Sequence, residues 1–288
     1  MKNQTISTMK TVISYIEKNL DGKLGLEQIA DAVHYSKYHL HRLFTETVGM
    51  TIHDYALRRQ LTEAAKLLVF SEKSVMEIAL FCGYESQQAF TVAFKAMYKC
   101  PPAEYRKQKT FYPLQLQFSL KEAAITMKPM KSDIRFAEMT DIPAWMDLMR
   151  LVIDGYPNLD ETDYLCAVEE SIRTRQALIL KDGAIAIGIM AFSYENGSIE
   201  FIGIHPQYRN KAIQKLFLDL LLEDLLPGRE ISITTYRAGD RADTGHRDNL
   251  KQLGFAEKEL LVEYGYPTQR FVLPPKTQEE TNNELHKE

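Results

Sequence analysis

Two adjacent glutamines, Gln87 and Gln88, open an apolar-periodic run in the stretch GYESQQAFTVAFK, which begins at Gly83. A glutamine amide carries both a donor and an acceptor, so it can form a paired hydrogen bond with a matching edge such as N6 and N7 of adenine. The alternative is a solvated helix face, which is the usual explanation for an isolated pair of amides. The choice depends on the elements that position the pair.

Apolar spacing predicts helices through the first fifty residues. Residues 5–20 form one amphipathic stripe, and residues 26–33 form a second that His34 and Tyr35 close. Behind Ser36, a good N-cap residue, lies the stripe of a third helix that ends at Gly49, namely Leu40, Leu43, Phe44 and Val48. Two short helices joined by a tight turn form a helix-turn-helix unit.

The same pattern returns 49 or 50 residues later, after a longer helix predicted from the Thr51 cap to about Phe70. The corresponding residues are Ile29 and Ile78, Ala30 and Ala79, Tyr35 and Tyr84, Phe44 and Phe94, and Tyr55 and Tyr105. In the second copy Ser74 and Ser86 are predicted N-caps, and Gly83 makes the turn. The spacing turns Phe90, Ala93, Phe94 and Met97 inward and Gln87, Gln88, Thr91, Val92 and Lys95 outward. Two copies with polar outer faces favour base reading over a solvated face.

Length and charge indicate two domains with different partners. The chain has 288 residues, of which 45% are hydrophobic and 26% charged, enough to build two cores. Residues 1–110 carry 15 Lys and Arg against 11 Asp and Glu, whereas the remainder carries 20 against 28. A basic half beside an acidic half favours a polyanion partner for the first half.

Several classes of protein do not fit this composition. The three cysteines, Cys82, Cys100 and Cys166, are odd in number and widely spaced, so neither a disulfide framework nor a metal site is indicated. No stretch approaches the roughly 18 apolar residues of a membrane helix, and MKNQTISTMK lacks a secretory apolar region. We therefore expect a cytoplasmic protein without membrane contact, and a disordered polar tail over 274–288.

The segments IADAVHYSKYHLHRLFTETVGMT and SVMEIALFCGYESQQAFTVAFKAMYKCPPAEYRK resemble the two helix-turn-helix units of AraC/XylS-family transcription regulators. The resemblance covers about residues 5–108, and we assign residues 1–108 to an all-α domain. It implies sequence-specific binding of double-stranded DNA without a required cofactor, at an asymmetric site. Two recognition helices would enter successive major-groove segments about 34 Å apart. RNA polymerase and a small-molecule effector are further candidate partners, and the oligomeric state is left open.

The resemblance also implies which side chains touch DNA. The base-reading positions fall on Tyr38, His41 and Arg42 in the first recognition helix and on Gln87, Gln88, Thr91 and Val92 in the second. Candidate phosphate contacts are Lys37 and Lys95, with the helix N-termini at Ser36 and Ser86. Val92 departs from the pattern, since relatives often carry arginine there. For Tyr38 the alternative is packing against the turn.

Residues 109–131 are the predicted linker. Over residues 132–273, segments with the apolar pattern of strands alternate with segments with the apolar pattern of helices, which predicts an α/β (α+β) domain with a mixed central sheet. Strands are expected over 133–137, 177–182, 186–192, 198–204, 231–236, 260–266 and 269–273. Helices are expected over 142–152, 161–175 and 211–226, with a short one ending at Leu253.

The segments IEFIGIHPQYRNKAIQKLFLDLL and NLKQLGF resemble the GNAT N-acetyltransferase fold. In that family a loop before a helix holds the pyrophosphate of acetyl-CoA on backbone N–H groups, which makes acetyl-CoA a candidate cofactor. The loop falls on Arg209, Asn210, Lys211, Ala212, Ile213 and Gln214. Ala212 stands where the pattern has glycine, and Gln214 stands where glycine or alanine is usual, so its side chain would crowd a phosphate.

The catalytic pattern of the GNAT fold is incomplete. Glu200 is the candidate general base, with a solvated or paired glutamate as the alternative. The tyrosine that often acts as the general acid in the family is replaced by Leu250, and Tyr236 or Tyr264 are candidate substitutes. We therefore expect an effector-binding or dimerising module, with a working N-acetyltransferase as the alternative. An enzyme that never touches DNA would leave the duplicated helical units unexplained.

Overall fold

The computed structural model describes residues 2–120, 128–152, 160–263 and 265–275, and these form two compact units. Unit 1 comprises Met1–Met127 and takes in two short segments of the second half of the chain, Met149–Asp160 and His205–Asn210. Unit 2 comprises Lys128–Leu148, Glu161–Ile204 and Lys211–Glu288. The predicted tail beyond residue 275 and Tyr264 lie outside the described residues. No helix of the described part is long and apolar enough to cross a bilayer.

Unit 1 is helical, as expected. Its helices are α1 (Lys2–Lys18), α2 (Leu26–Ala32), α3 (Lys37–Val48), α4 (Ile52–Phe70), α5 (Val75–Phe81), α6 (Gln87–Tyr98) and α7 (Pro102–Gln108). All four predicted N-caps are confirmed by a hydroxyl that accepts a backbone N–H from three residues later. The acceptors are Ser36 (3.4 Å), Thr51 (3.0 Å), Ser74 (3.2 Å) and Ser86 (3.1 Å). Each cap satisfies a donor that the first helical turn would leave open.

Helix α4 is buried even at polar positions, because both helix-turn-helix copies pack against it. The guanidinium of Arg59 donates from Nε and Nη2 to the carboxylate of Glu17 on α1, each at 2.8 Å. The hydroxyl of Tyr55 donates to the same carboxylate at 2.8 Å. Burial, and then the charge of Glu17, raise the pKa of Tyr55, which keeps this hydroxyl a donor.

Residues 112–120, which the sequence assigns to the linker, form neither helix nor strand but pack onto unit 1. The side chains of Tyr112, Leu114, Phe118 and Leu120 are buried. Thr62 on α4 accepts the N–H groups of Leu114 and Gln115 at 3.0 and 3.2 Å, and Arg59 donates to the carbonyl of Gln115 at 3.1 Å. This segment is therefore a strap that is tied to α4.

The two copies meet at a glycine turn. Gly83 has φ +75°, and a Cβ there would lie 2.7 Å from the carbonyl carbon of Gly22 and 2.8 Å from the nitrogen of Lys23. The side chain of Gln60 on α4 donates to the Gly22 carbonyl at 2.6 Å and holds the same loop. His34, the corresponding position of the first copy, also has positive φ, +58°. The close backbone approach explains why the second copy has glycine where the first has histidine.

Unit 2 contains one seven-stranded mixed sheet in the order β1-β2-β3-β4-β5-β7-β6. Its strands are β1 (Arg135–Phe136), β2 (Ala177–Asp182), β3 (Ile185–Phe192), β4 (Ser198–Ile204), β5 (Ile231–Tyr236), β6 (Ala256–Glu263) and β7 (Tyr266–Leu273). The described helices of this half are α8 (Ile142–Val152), α9 (Glu161–Arg173), α10 (Ile213–Leu220) and α11 (His246–Gln252). Only β4 and β5 pair in parallel among these strands. The predicted mixed sheet is confirmed.

Several element boundaries differ from the sequence prediction: β1 is shorter than 133–137, α9 ends at Arg173, and β6 and β7 begin earlier, at Ala256 and Tyr266. Two further differences change the course of the chain. The single helix expected over 211–226 is divided into a 3-10 segment Pro206–Lys211, then α10, then a π-helical turn Leu221–Leu225. Strand β6 ends at Glu263 rather than Tyr266, because Gly265 with φ +76° turns the chain and Glu263 pairs with Tyr266 across a hairpin. Apolar periodicity carries no signal for either feature, since both depend on backbone conformation.

Substituting Gly83 with alanine should destabilise unit 1 by about 2 to 4 kcal/mol, because the added Cβ meets backbone and the positive φ is strained. Urea unfolding of the full chain measures this. The matched control is Gly22→Ala, at which an added Cβ meets nothing within 4 Å. Equal unfolding midpoints for the two variants would contradict the close approach described above.

Candidate nucleic-acid interface

Helix α3 turns one face to the core and the opposite face to solvent. Leu40, Phe44 and Val48 are fully buried, and Leu43 is partly buried against the same cluster. On the other face Tyr38 is 80% exposed, and His41 and Arg42 are also exposed. The alternative that Tyr38 packs against the turn is therefore wrong. The three predicted base-reading side chains of the first copy share one accessible face.

The guanidinium of Arg42 is only loosely engaged. Its Nε lies 3.9 Å from a carboxylate oxygen of Glu46 one turn later, and both side chains are largely exposed. Exposed ion pairs of this kind contribute little and are readily exchanged. Arg42 can therefore direct two of its N–H donors toward a guanine O6 and N7 edge at small cost.

The ammonium group of Lys37 is held more firmly than the sequence suggests. Its Nζ donates to Glu27 on α2 at 2.6 Å. The hydrogen bond and charge of Glu27 raise the pKa of Lys37, and Lys37 in turn lowers the pKa of Glu27. The same ammonium lies 5.5 Å from the ring centre of Tyr38. A phosphate contact by Lys37 therefore has to compete with Glu27.

A groove of about 780 Å³ runs beside the N-terminal end of α3. It is lined by Lys23, Gly25, Leu26, Glu27, Gln28, Lys37, Tyr38 and His41. Lys23 is a basic residue that the sequence reasoning missed. Its position between Gly22 and Gly25, in the loop between α1 and α2, is the sequence signal that could have indicated it. In the structure the same loop lies against the turn of the second copy.

Helix α6 repeats the arrangement of α3. Each recognition helix has 12 residues, follows a capping serine and ends at a residue with positive φ, Gly49 at +81° or Lys99 at +62°. The side chains of Gln87, Gln88, Val92 and Lys95 are exposed, and Thr91 is half-buried. Phe90, Phe94 and Met97 are buried as expected, and Ala93 is only partly buried. Direct contact of these outward residues with DNA stays a prediction.

A family model described as a helix-turn-helix domain matches residues 29–108. The transcriptional activator AarP of Providencia stuartii is 40% identical over 106 residues, which cover 37% of this chain and 78% of AarP. The chain belongs to the AraC family of transcription regulators. The regulator YbfP of Bacillus subtilis is 39% identical over 98 residues, so the match spans 34% of this chain but only 33% of YbfP.

The second unit of this AraC-family chain is similar to a GNAT-family acetyltransferase from Bacillus cereus. The two share 13% identity with a TM-score of 0.39, over 50% of this chain and 97% of the other. A likeness of that size supports no argument about activity. The chemistry of unit 2 has to be judged from its own residues.

The parallel strands of unit 2 diverge. The register of β4 and β5 joins Ser198 with Ser232 and Ile199 with Ile233, and the strands then continue to Ile204 and Tyr236 without further pairs in the register. Strands that part in this way leave backbone N–H and C=O groups available along a wedge. The wedge opens toward the end of β4 that precedes the predicted phosphate loop.

The backbone of that loop fits a phosphate better than its sequence does. Ala212 adopts φ +55° and ψ 20°, a conformation that favours glycine, and it directly precedes α10. The first N–H groups of a helix lack intrahelical partners and attract anions. The side-chain oxygen of Gln214 accepts a hydrogen bond from Asn249 on α11, which anchors the side chain expected to crowd the site. The side chains of Arg209, Asn210 and Lys211 lie outside the described part.

The catalytic side chains fit less well. Glu200 is exposed and accepts a hydrogen bond from the hydroxyl of Ser198, so the structure favours the solvated or paired alternative over a general base. Leu250, at the position of the expected tyrosine, is 3% exposed. Tyr236 is half-buried with its ring 6.0 Å from that of His246. Among the described residues of unit 2, Ala212 and the start of α10 are where phosphate binding stays a prediction, and Glu200 and Leu250 do not match the expected base and acid.

Replacing Glu27 with glutamine should release Lys37 for phosphate and raise affinity for duplex DNA by about twofold to fivefold at low salt. The gain should be similar on any sequence and should steepen the dependence of affinity on salt. Binding titrations at several salt concentrations measure both. Glu104→Gln makes the same change of net charge on α7, and an equal gain from this control would show that Lys37 plays no particular part.

Proposed function

We propose that the chain is a sequence-specific DNA-binding transcription regulator that inserts α3 and α6 into two successive major-groove segments. The observation that supports this best is the equivalence of the two helices, which have the same length, the same serine cap and exposed polar faces. Two helices whose outer faces were merely solvated would not need to match in length, cap and exposed face. Helix α3 packs directly on the buried helix α4, and α6 packs on α5 and α7, which themselves pack on α4. A common support of this kind fits a fixed spacing of half-sites.

The two recognition helices, α3 as the first reader and α6 as the second reader of the DNA, carry different side chains, so the proposed site is asymmetric. Arg42 suits guanine, whereas Gln87 and Gln88 suit adenine. A single chain with two unequal readers needs no symmetric partner to bind such a site. Since the spacing of the readers is fixed by packing, the duplex has to bend if its groove segments do not meet both helices.

We further propose that unit 2 senses a ligand or mediates dimerisation rather than catalysing acetyl transfer. The left-handed Ala212, the anchored Gln214 and the diverging strands support an anionic ligand of the acyl-CoA type, which the backbone would hold. The ligand would regulate DNA binding only if its affinity differs between two states of the chain. RNA polymerase is the natural further partner of a regulator of this kind.

The second candidate is a bifunctional chain with a working N-acetyltransferase. The observation that favours it is again Ala212, because the loop retains a strained backbone that ligand binding would justify. In this case acetyl-CoA would supply the acetyl group, and the residues of the chain would orient an amine, take its proton and return a proton to the departing CoA thiolate. Glu200 would have to act as the base and Tyr236 as the acid.

Changing Arg42 to alanine should weaken binding to a site selected from random duplexes by about 1 to 3 kcal/mol and relax discrimination at one base pair. Selection followed by titration on single-base variants measures both effects. Arg173→Ala removes an exposed arginine from α9 of unit 2 and should change neither. Equal loss on selected and random DNA would reassign Arg42 to a phosphate contact.

Unit 2 should release no CoA thiol from acetyl-CoA in the presence of primary amines, because Glu200 is exposed and Leu250 replaces the expected acid. A thiol-reactive dye measures release, and thermal unfolding with millimolar acetyl-CoA measures binding. A raised melting temperature without thiol release supports the sensing role. Release that is lost in Glu200→Gln would instead establish the bifunctional candidate.

A further inference from the structure

Val92 is the least expected side chain on the outer face of α6. It is 69% exposed, while the inner face of the same helix is already filled by Phe90, Phe94 and Met97. A β-branched residue also lowers helix propensity slightly at such a position. Neither packing nor helix formation therefore accounts for a valine there.

The neighbours of Val92 place it in the middle of the reading face. Gln88 lies one turn before it and Lys95 one turn after it, and both are exposed. The position corresponds to Arg42 in the first copy, 50 residues earlier, where the side chain is a guanidinium. One reader thus presents a fork of hydrogen-bond donors where the other presents two methyl groups.

The major groove offers one apolar feature, the 5-methyl group of thymine, and it lies on the same base pair as the adenine edge that glutamine matches. We propose that the second reader specifies an A·T segment, in which Val92 packs on a thymine methyl group beside adenines that Gln87 or Gln88 contact. The first reader, with Arg42, specifies guanine. The two ends of the operator then differ in base composition, with guanine required at one end and A·T pairs at the other. This inference rests on the proposed function.

Replacing thymine by uracil in the selected site tests the inference, because uracil lacks only the methyl group. For the unchanged protein, uracil at one position of the second segment should lower affinity about fourfold, as expected for one lost buried methyl group. For Val92→Ala the difference between thymine and uracil should fall below about twofold. Val92→Thr, which keeps one methyl group and the shape of valine, should retain part of the difference.

Two controls separate this inference from the proposed function. Arg42→Ala should bind more weakly but keep the full difference between thymine and uracil in the second segment. Val92→Arg should shift the preference at that base pair from thymine toward guanine. Circular dichroism of each variant should show unchanged helix content, since Val92 is not part of the core.

The outcomes are distinct. If no sequence is enriched from random duplexes, the proposed function itself fails. If a site is enriched but uracil has no effect anywhere in the second segment, or the effect survives in Val92→Ala, only the role of Val92 is overturned. Loss of the uracil effect in Val92→Ala, with retention in Arg42→Ala, supports the inference.

Discussion

The buried polar face of α4 is the constraint on which unit 1 depends. Arg59, Tyr55 and Glu17 form a closed group in which a guanidinium and a hydroxyl satisfy one carboxylate at 2.8 Å. Removing such charges from water is costly, so the group is stable only when all partners are present. Both donors come from α4 and the carboxylate comes from α1, so the network ties these two helices together. It therefore fixes geometry more than it adds stability.

That constraint extends to the second copy through backbone contacts. Gln60 holds the Gly22 loop from α4, and Gly83 packs against the same loop. A shift of either copy would either clash at Gly83 or leave the amide of Gln60 without its carbonyl. Because of this rigidity, the entropy that is lost when α3 and α6 are fixed relative to each other is lost during folding and not when DNA binds.

Much of unit 1 could be predicted from the sequence because its signals are local. Caps such as Ser36 and Ser86 act within three residues, and the duplication aligns the two readers by simple offset. The strap over 112–120 could not be predicted, since its burial depends on partners such as Thr62 that lie about fifty residues away. The engagement of Lys37 by Glu27 was missed for the same reason, because the pair spans a turn between two helices. In unit 2 the central strands follow from short apolar runs such as ALILKD and AIGIMAF, which are buried on both faces. The left-handed Ala212, by contrast, has no sequence signal other than its place in the loop.

The contrast between Arg42 and Val92 has a consequence for how the two readers act together. A guanidinium contributes long-range attraction and gains affinity from released counterions, so the first reader should dominate the approach to DNA and weaken as salt rises. A valine gains free energy only at van der Waals contact, and that gain does not depend on salt. Under the proposed function, Arg42 therefore favours capture of DNA in general, while Val92 favours residence on one sequence. Because α3 packs on α4 and α6 reaches α4 through α5 and α7, the proposed charged and apolar contacts are set at one spacing by the packing of unit 1.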